Sequence, residues 1–178
     1  NILVTGPLAT DTTAYFSRYG PQNLQVTHVL QGVRDYVGQA ATVHYAKGCE
    51  VVDATWPESE IIPTPLTEEE RLEIQEAVEK ARRSDVVIAV LGEDEHRVGE
   101  SKSRTGLALP GRQLQLLQAL YETGKPIVLV LINGQPLTIN WENRYIPAIL
   151  EAWFPNSIGG QTIAETLFGE YNPGGKLP

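Results

Sequence analysis

Val86-Val87-Ile88-Ala89-Val90-Leu91 is a run of apolar residues in which both alternating faces are hydrophobic, and Ile127-Val128-Leu129-Val130-Leu131-Ile132 repeats the pattern. A strand that is apolar on both faces is typical of a parallel sheet covered by helices on each side. These two runs predict strands over 85–91 and 126–132. Further strands are predicted over 2–5 and 148–154, and a weaker alternating one, nearer an edge of the sheet, over 41–46.

Helical patterns lie between the predicted strands. Thr67-Glu68-Glu69-Glu70 is a capping box, which predicts that a helix begins there. Other helices are predicted from near Pro110 to Gly124, from about Gly160 to Phe168, and over 29–37. Alternating strands and helices favour right-handed βαβ units. The expected fold class is therefore α/β, a single-domain, three-layer α/β/α sandwich of the flavodoxin-like type with a mostly parallel sheet.

Length and composition exclude several classes of protein. The chain has 178 residues with 42% hydrophobic and 20% charged side chains, which is typical of one globular domain. Its net charge of −8 argues against a nucleic-acid or anionic-membrane surface, and its apolar runs are too short to span a membrane. The lone Cys49 allows no internal disulfide and no cysteine-based zinc site. His28, His44 and His96 lack ligand spacing, so we expect neither a metal nor a cofactor.

The richest candidate for chemistry is the loop 92–105, in which nearly every side chain is ionisable or forms hydrogen bonds. It follows a predicted buried strand, and parallel sheets bind ligands at the carboxyl ends of their strands. A solvated charged loop would have the same composition. A glycosidase requires two carboxyl groups, one of them a proton donor. Within the loop that donor could come from Glu93, Asp94, Glu95 or Glu100.

Other motifs argue against competing chemistries. Gly6-Pro7 follows the first predicted strand, but no GxGxxG or Walker pattern accompanies it, which disfavours nucleotide binding. Ser101 and Ser103 lack the G-x-S-x-G context of an α/β-hydrolase nucleophile. The aromatic residues of apolar runs are interpreted as core rather than as sugar-stacking groups: Trp141, Trp153 and Phe154.

Glu100-Ser101-Lys102-Ser103-Arg104-Thr105-Gly106-Leu107-Ala108-Leu109-Pro110-Gly111-Arg112-Gln113 is a long, ordered motif. It closely resembles the second domain of family 3 glycoside hydrolases, the β-glucosidase and β-xylosidase family. The resemblance covers essentially the whole chain. It continues in the segments 3–7, 43–49, 124–137, 148–155, 159–160 and 167–178.

The resemblance implies a sandwich of about six strands that follows a (β/α)₈ barrel, with the active site between the two domains. It also implies a retaining, exo-acting enzyme in which the barrel supplies an aspartate nucleophile. The sandwich domain supplies a glutamate general acid/base on the loop after its central strand. By position that glutamate matches Glu100, and Glu93 is the next candidate. Neighbours that could contact the substrate are Glu93, His96, Arg97, Lys102 and Arg104.

The sequence opens in a strand pattern and ends in a turn pattern, so we expect residues 1–178 to be the C-terminal sandwich domain of a longer chain whose barrel is absent. One carboxyl group cannot complete a retaining mechanism, and we expect these residues alone to be inactive. The expected substrate is a β-linked oligosaccharide or glycoside, and the resemblance suggests a periplasmic or secreted protein. Two alternatives stay open. The first is a non-catalytic module that binds sugar or stabilises the barrel, and the second is a flavodoxin-like nucleotide-binding domain.

Overall fold

A computed structural model describes residues 1–16 and 25–177, and the last residue of the predicted C-terminal turn, Pro178, lies outside the described residues. Five strands form one sheet in which every neighbouring pair is parallel. The order across the sheet is β2-β1-β3-β4-β5. The strands are β1 (Ile2–Thr5), β2 (Val43–Ala46), β3 (Val86–Gly92), β4 (Ile127–Ile132) and β5 (Ala148–Glu151).

The predicted α/β class and parallel sheet are confirmed, and the weakly alternating strand β2 lies at an edge as expected. Residues 1–16 and 25–177 form five strands rather than about six. This count agrees with the five strands predicted from the residues themselves, since the sixth rested on resemblance alone. In the described ranges no further strand pairs with the outer edge of β2 or β5.

The helices connect successive strands, apart from the last α-helix, which follows the last strand, and they lie on both faces of the sheet. The predicted capping box is present, because the Thr67 hydroxyl accepts from the Glu70 N–H and the Glu70 carboxylate accepts from the Thr67 N–H. Short 3-10 turns form at Thr13–Tyr15 and Glu58–Glu60. The α-helices are α1 (Val29–Val37), α2 (Glu68–Arg82), α3 (Gln113–Tyr121), α4 (Asn140–Tyr145) and α5 (Gly159–Leu167).

Two hydrophobic clusters form the core, one on each face of the sheet. Val87, Ala89 and Leu91 of β3 pack into the cluster that includes side chains of α2 and α3. Ile88 and Val90 of the same strand pack into the cluster that includes α1 and α5. Adjacent side chains of a strand point to opposite faces. The apolar run of β3 therefore contributes to both clusters, as expected for a central strand.

On the second face, α1 and α5 approach each other through glycines. A methyl group added at Gly32 would lie 2.0 Å from the Gly160 carbonyl oxygen, and one added at Gly160 would lie 2.3 Å from the carbonyl oxygens of Thr27 and His28. Only a residue without a side chain allows backbone atoms to come this close. The two glycines therefore set the distance between the two helices.

Strand β5 ends at Glu151, earlier than the predicted 148–154. The cause is local, because Trp153 has a left-handed backbone with φ of 52°. Its N–H donates to the Glu151 carboxylate over 3.0 Å. Phe154 packs against the second core cluster and Trp141 against the first, as predicted for core aromatics, while Trp153 is only partly buried.

Candidate active-site loop

The loop that follows β3 begins at a tightly held glycine. Gly92 has φ of 138°, and a methyl group there would lie 1.9 Å from the Ile132 carbonyl oxygen. The buried Gln113 side chain accepts from the Gly92 N–H over 2.7 Å and donates to the Gly92 carbonyl over 2.8 Å. It also donates to the Val51 carbonyl over 2.9 Å. This amide pairs the end of β3 on the side where β1 has already ended, while β4 pairs the other side, so the loop leaves the sheet from a rigid point.

Glu93 is the first residue after that point, and its side chain is fully buried. Its Oε1 accepts from Gln135 Nε2 over 2.7 Å and also from Arg104 Nη1. In the described part of the chain, its other oxygen, Oε2, has no hydrogen-bond partner. A carboxylate at this depth is neutralised from within the protein, because burying an unpaired charge is costly.

Arg104 lies between two carboxylates, and its side chain is only 3% exposed. Besides Glu93, its guanidinium donates to Glu60 Oε1 over 2.9 Å and to the Ala108 carbonyl over 2.6 Å. Burial alone would raise the pKa of Glu60. Hydrogen bonds from Thr105, Trp56 and Arg104 outweigh burial and lower this pKa below its usual value. Glu60 therefore remains ionised at neutral pH and shares the guanidinium with Glu93.

The first part of the loop is held by contacts of Asp94 and Arg97. Asp94 accepts from the Arg97 guanidinium and, over 3.1 Å, from the backbone N–H of His96. The Arg97 guanidinium also lies over the Trp56 ring, 5.6 Å from its centroid, a cation–π arrangement. The side chain of Arg97 is partly exposed, and His96 and Lys102 are exposed residues of the same loop.

Glu100 is exposed and lies in a turn near the middle of the loop. The next residue, Ser101, has a left-handed backbone with φ of 64°. Non-glycine residues in this conformation are uncommon and cluster at functional sites. The loop thus carries one predicted carboxyl group, Glu100, at its surface and the other, Glu93, at its base.

Two neighbouring strands contribute polar residues to the same edge of the sheet. Asn133 follows β4 and is fully buried, and its side-chain N–H donates to the Gln135 carbonyl over 3.0 Å. Glu151 ends β5. Burial raises its pKa and the charge of Glu93 raises it further, whereas hydrogen bonds from Trp153 and Asn133 partly offset both effects. The carboxyl ends of β3, β4 and β5 are therefore linked by polar contacts.

Four residues of this arrangement were missed at the sequence level, namely Glu60, Asn133, Gln135 and Glu151. Glu60 lies 44 residues before its partner Arg104, in a stretch whose sequence has no hydrophobic periodicity. Gln135 and Asn133 do follow a strongly predicted strand, and their place at its carboxyl end was a usable signal. Among residues 1–16 and 25–177 there is no group of three or more His, Cys, Asp or Glu side chains arranged to hold a metal ion.

The fold and the loop together define an α/β sandwich domain that presents an acidic side chain from the carboxyl edge of a parallel sheet. The family model "Glycosyl hydrolase family 3 C-terminal domain" matches residues 1–178. The chain belongs to glycoside hydrolase family 3, in which it is the C-terminal domain.

Curated relatives and solved structures agree with this assignment. The chain is 42% identical to a periplasmic beta-glucosidase of Salmonella typhimurium, over 99% of this chain and 24% of the relative. It is 39% identical to a beta-xylosidase of Formosa agariphila, over 84% of this chain and 18% of the relative. A β-glucosidase structure from Erythrobacter marinus superimposes with a TM-score of 0.80 and 34% identity, over 97% of this chain and 24% of that one. The chain thus spans about a quarter or less of these relatives.

Proposed function

We propose that this domain supplies the general acid/base, Glu100, to a retaining, exo-acting β-glycosidase. The observation that carries the choice of residue is the contrast in burial between the two candidates. Glu93 is fully buried and paired with Arg104, whereas Glu100 is exposed on the loop. A general acid must come within hydrogen-bond reach of the leaving oxygen, and a glutamate at the surface is accessible to a substrate.

The proposed reaction has two steps and two carboxyl groups. An aspartate of a preceding (β/α)₈ barrel attacks the anomeric carbon while the Glu100 carboxylic acid transfers its proton to the departing glycosidic oxygen. The Glu100 carboxylate then takes a proton from a water molecule as that water attacks the anomeric carbon of the glycosyl-enzyme ester, and the carbon–oxygen bond to the aspartate breaks. Retention requires the two carboxyl groups to be about 5–5.5 Å apart. The barrel must therefore pack against the carboxyl edge of this sheet.

Other residues of the loop differ in what they can contact. His96, Arg97 and Lys102 are at least partly exposed, and we assign them to the substrate side, around the leaving group. Glu93 and Arg104 are engaged with each other inside the domain, so their proposed role is not substrate contact. The proposed substrate is a β-linked oligosaccharide or glycoside, which is supported by the beta-glucosidase and beta-xylosidase names of the relatives.

The decisive experiment is Glu100→Ala in the full-length enzyme, assayed on aryl β-glycosides with poor and with activated leaving groups. Loss of general acid catalysis slows a poor leaving group by about 10²–10⁴-fold, and an activated one much less, because it departs without a proton. Azide fits into the space left by the carboxylate and should restore turnover as a glycosyl azide of retained configuration.

Glu122→Ala is the matched control, since Glu122 is exposed at the C-terminal end of α3, near the opposite edge of the sheet. It should behave like the parent enzyme. Parent-like kinetics of Glu100→Ala on the poor leaving group would contradict the proposal and favour a non-catalytic role for this domain.

We also propose a periplasmic or secreted location for the full-length protein. The Salmonella typhimurium relative is named periplasmic. In the part of the chain that the structure describes, none of the helices is both long and apolar enough to cross a membrane. Recovery of the enzyme in the cytoplasmic fraction after cell fractionation would contradict this placement.

A further inference from the structure

We propose that Arg104 is a positioning residue whose clamp between Glu93 and Glu60 holds the loop that carries Glu100. We use the term clamp for these three side chains. The inference rests on the proposed function, because it concerns the place of Glu100 relative to the leaving group. It assigns Arg104 no contact with substrate, since its side chain is 3% exposed.

The first step is the closure of the loop at its base. Glu93 leaves the end of β3, and Arg104 pairs with it from 11 residues later in the chain. The segment between these two residues, which includes Glu100, is therefore a loop whose two ends are joined. Gln135, which follows β4, donates to the same Glu93 oxygen over 2.7 Å. The base of the loop is therefore aligned with two adjacent strands rather than with one.

The second step is that Glu60 anchors the end of the loop by binding the other terminal nitrogen of the Arg104 guanidinium. Glu60 accepts from Arg104 over 2.9 Å and, through its other oxygen, from the Thr105 hydroxyl and from the Gly106 N–H over 3.2 Å. Trp56 Nε1 donates to it over 3.0 Å. Glu60 thus holds three consecutive residues at the end of the loop against the 3-10 turn Glu58–Glu60.

The third step is electrostatic. The clamp contains two carboxylates and one guanidinium, and all three side chains are at least 87% buried, since their exposed fractions are 0% for Glu93, 3% for Arg104 and 13% for Glu60. Removing the guanidinium leaves two buried carboxylates facing each other without a counter-charge. Such a pair separates or takes up a proton, and either response releases the loop from its base. A displacement of about 1 Å in a catalytic group costs on the order of 100-fold in rate.

The test is Arg104→Gln in the full-length enzyme, with kcat and KM measured on aryl glycosides of poor and activated leaving groups. If Arg104 positions the acid, kcat should fall by about 10–100-fold on the poor leaving group and much less on the activated one. KM should change little. Arg104→Lys keeps one charge but cannot bridge both carboxylates, and it should recover part of the loss.

Glu60→Gln tests the same inference without removing the Arg104–Glu93 pair, so it remains informative if Arg104→Gln does not fold. It should show the same selective loss to a smaller extent. Arg83→Gln is the matched control, because Arg83 is exposed at the C-terminal end of α2, near the opposite edge of the sheet. This control variant should have the same kcat and KM as the parent enzyme on both substrates.

The outcomes separate this inference from the proposed function. Equal losses on both substrates in the Arg104 and Glu60 variants would show a merely structural role and overturn the inference, as would parent-like kinetics. In either case a selective loss in Glu100→Ala would leave the proposed function standing. If Glu100→Ala itself shows no selective loss, the proposed function fails first and the positioning role fails with it.

Discussion

At the scale of single residues, two glutamates of one loop have opposite surroundings. Glu93 is enclosed by Arg104 and Gln135, whereas Glu100 is exposed beside a serine with a left-handed backbone. Charge and spacing in the sequence are equally compatible with either residue as an acid. The difference in burial supports the proposal that Glu100 is the acid, because a proton donor must come within hydrogen-bond reach of its substrate.

Glu142 provides a prediction on stability. Its side chain lies in α4 and is buried, burial raises its pKa, and within the described ranges no ion pair neutralises it. A carboxyl group whose pKa is higher in the folded state destabilises the fold progressively as pH rises above its unfolded pKa of about 4.3. Glu142→Gln should therefore increase the free energy of unfolding at pH 7, with a smaller difference at pH 4.

Urea unfolding at both pH values checks this prediction, with Glu122→Gln as the exposed control of the same chemistry. A Glu142→Gln variant that is no more stable than the parent at pH 7 would contradict it. So would a gain of the same size at both pH values, because the expected effect depends on ionisation.

At the scale of elements, the contact between α1 and α5 depends on Gly32 and Gly160. Gly160→Ala places a methyl group 2.3 Å from two carbonyl oxygens of the segment before α1, and backbone cannot move aside as a side chain does. We expect a loss of about 3 kcal/mol in the free energy of unfolding, the upper end of the usual cost of overpacking. Denaturant unfolding measures it.

Gly174→Ala is the control for this prediction, because nothing lies within 4 Å of a methyl group there. It should leave the midpoint of unfolding unchanged. Equal stability of Gly160→Ala and the parent would show that the two helices can separate at little cost.

Elements with a strong hydrophobic periodicity or a clear helix cap were predictable from sequence. The strands β3 and β4, the capping box of α2 and the bounds of α1 are confirmed, because each has a hydrophobic pattern or a cap that acts locally. Helix α4 was missed since Asn140–Tyr145 is too short to show a helical period. Strand β5 is shorter than predicted because the hydrogen bond to Trp153 turns the chain, which apolar composition does not reveal.

At the scale of the whole molecule, the site was predictable only as far as the loop itself. The motif 100–113 and the charged composition of the loop pointed to the acid candidates. The clamp was not predictable, since Glu60 and Arg104 are 44 residues apart and meet only when the sheet and the segment before α2 are assembled. Ion pairs across such separations leave no periodic pattern in a sequence.

The chain spans about a quarter of the length of its relatives, and this leads to a prediction for the molecule as a whole. A retaining mechanism requires a nucleophile as well as an acid, so the 178-residue chain alone should hydrolyse no aryl β-glycoside, even with an activated leaving group. The full-length enzyme, assayed in parallel, should turn over the same substrate. Circular dichroism should show that the isolated chain is folded.

Turnover by the isolated chain that is abolished in Glu100→Ala would contradict this prediction. It would mean that a second carboxyl group of this domain acts as the nucleophile. Glu151 would then be the first to examine, because it ends β5 at the same edge of the sheet and its pKa responds to Glu93.

The pairing of Glu93 with Arg104 also closes the segment 94–103 into a loop with fixed ends. The entropy of closing a flexible segment grows slowly with its length, by roughly 0.6 kcal/mol for each doubling. Once its base is closed, the segment can be lengthened, or its residues other than Glu100 exchanged, while the strands keep their register. Foreign segments that retain Glu100 between these two residues are therefore a route to new leaving-group preferences on an unchanged scaffold.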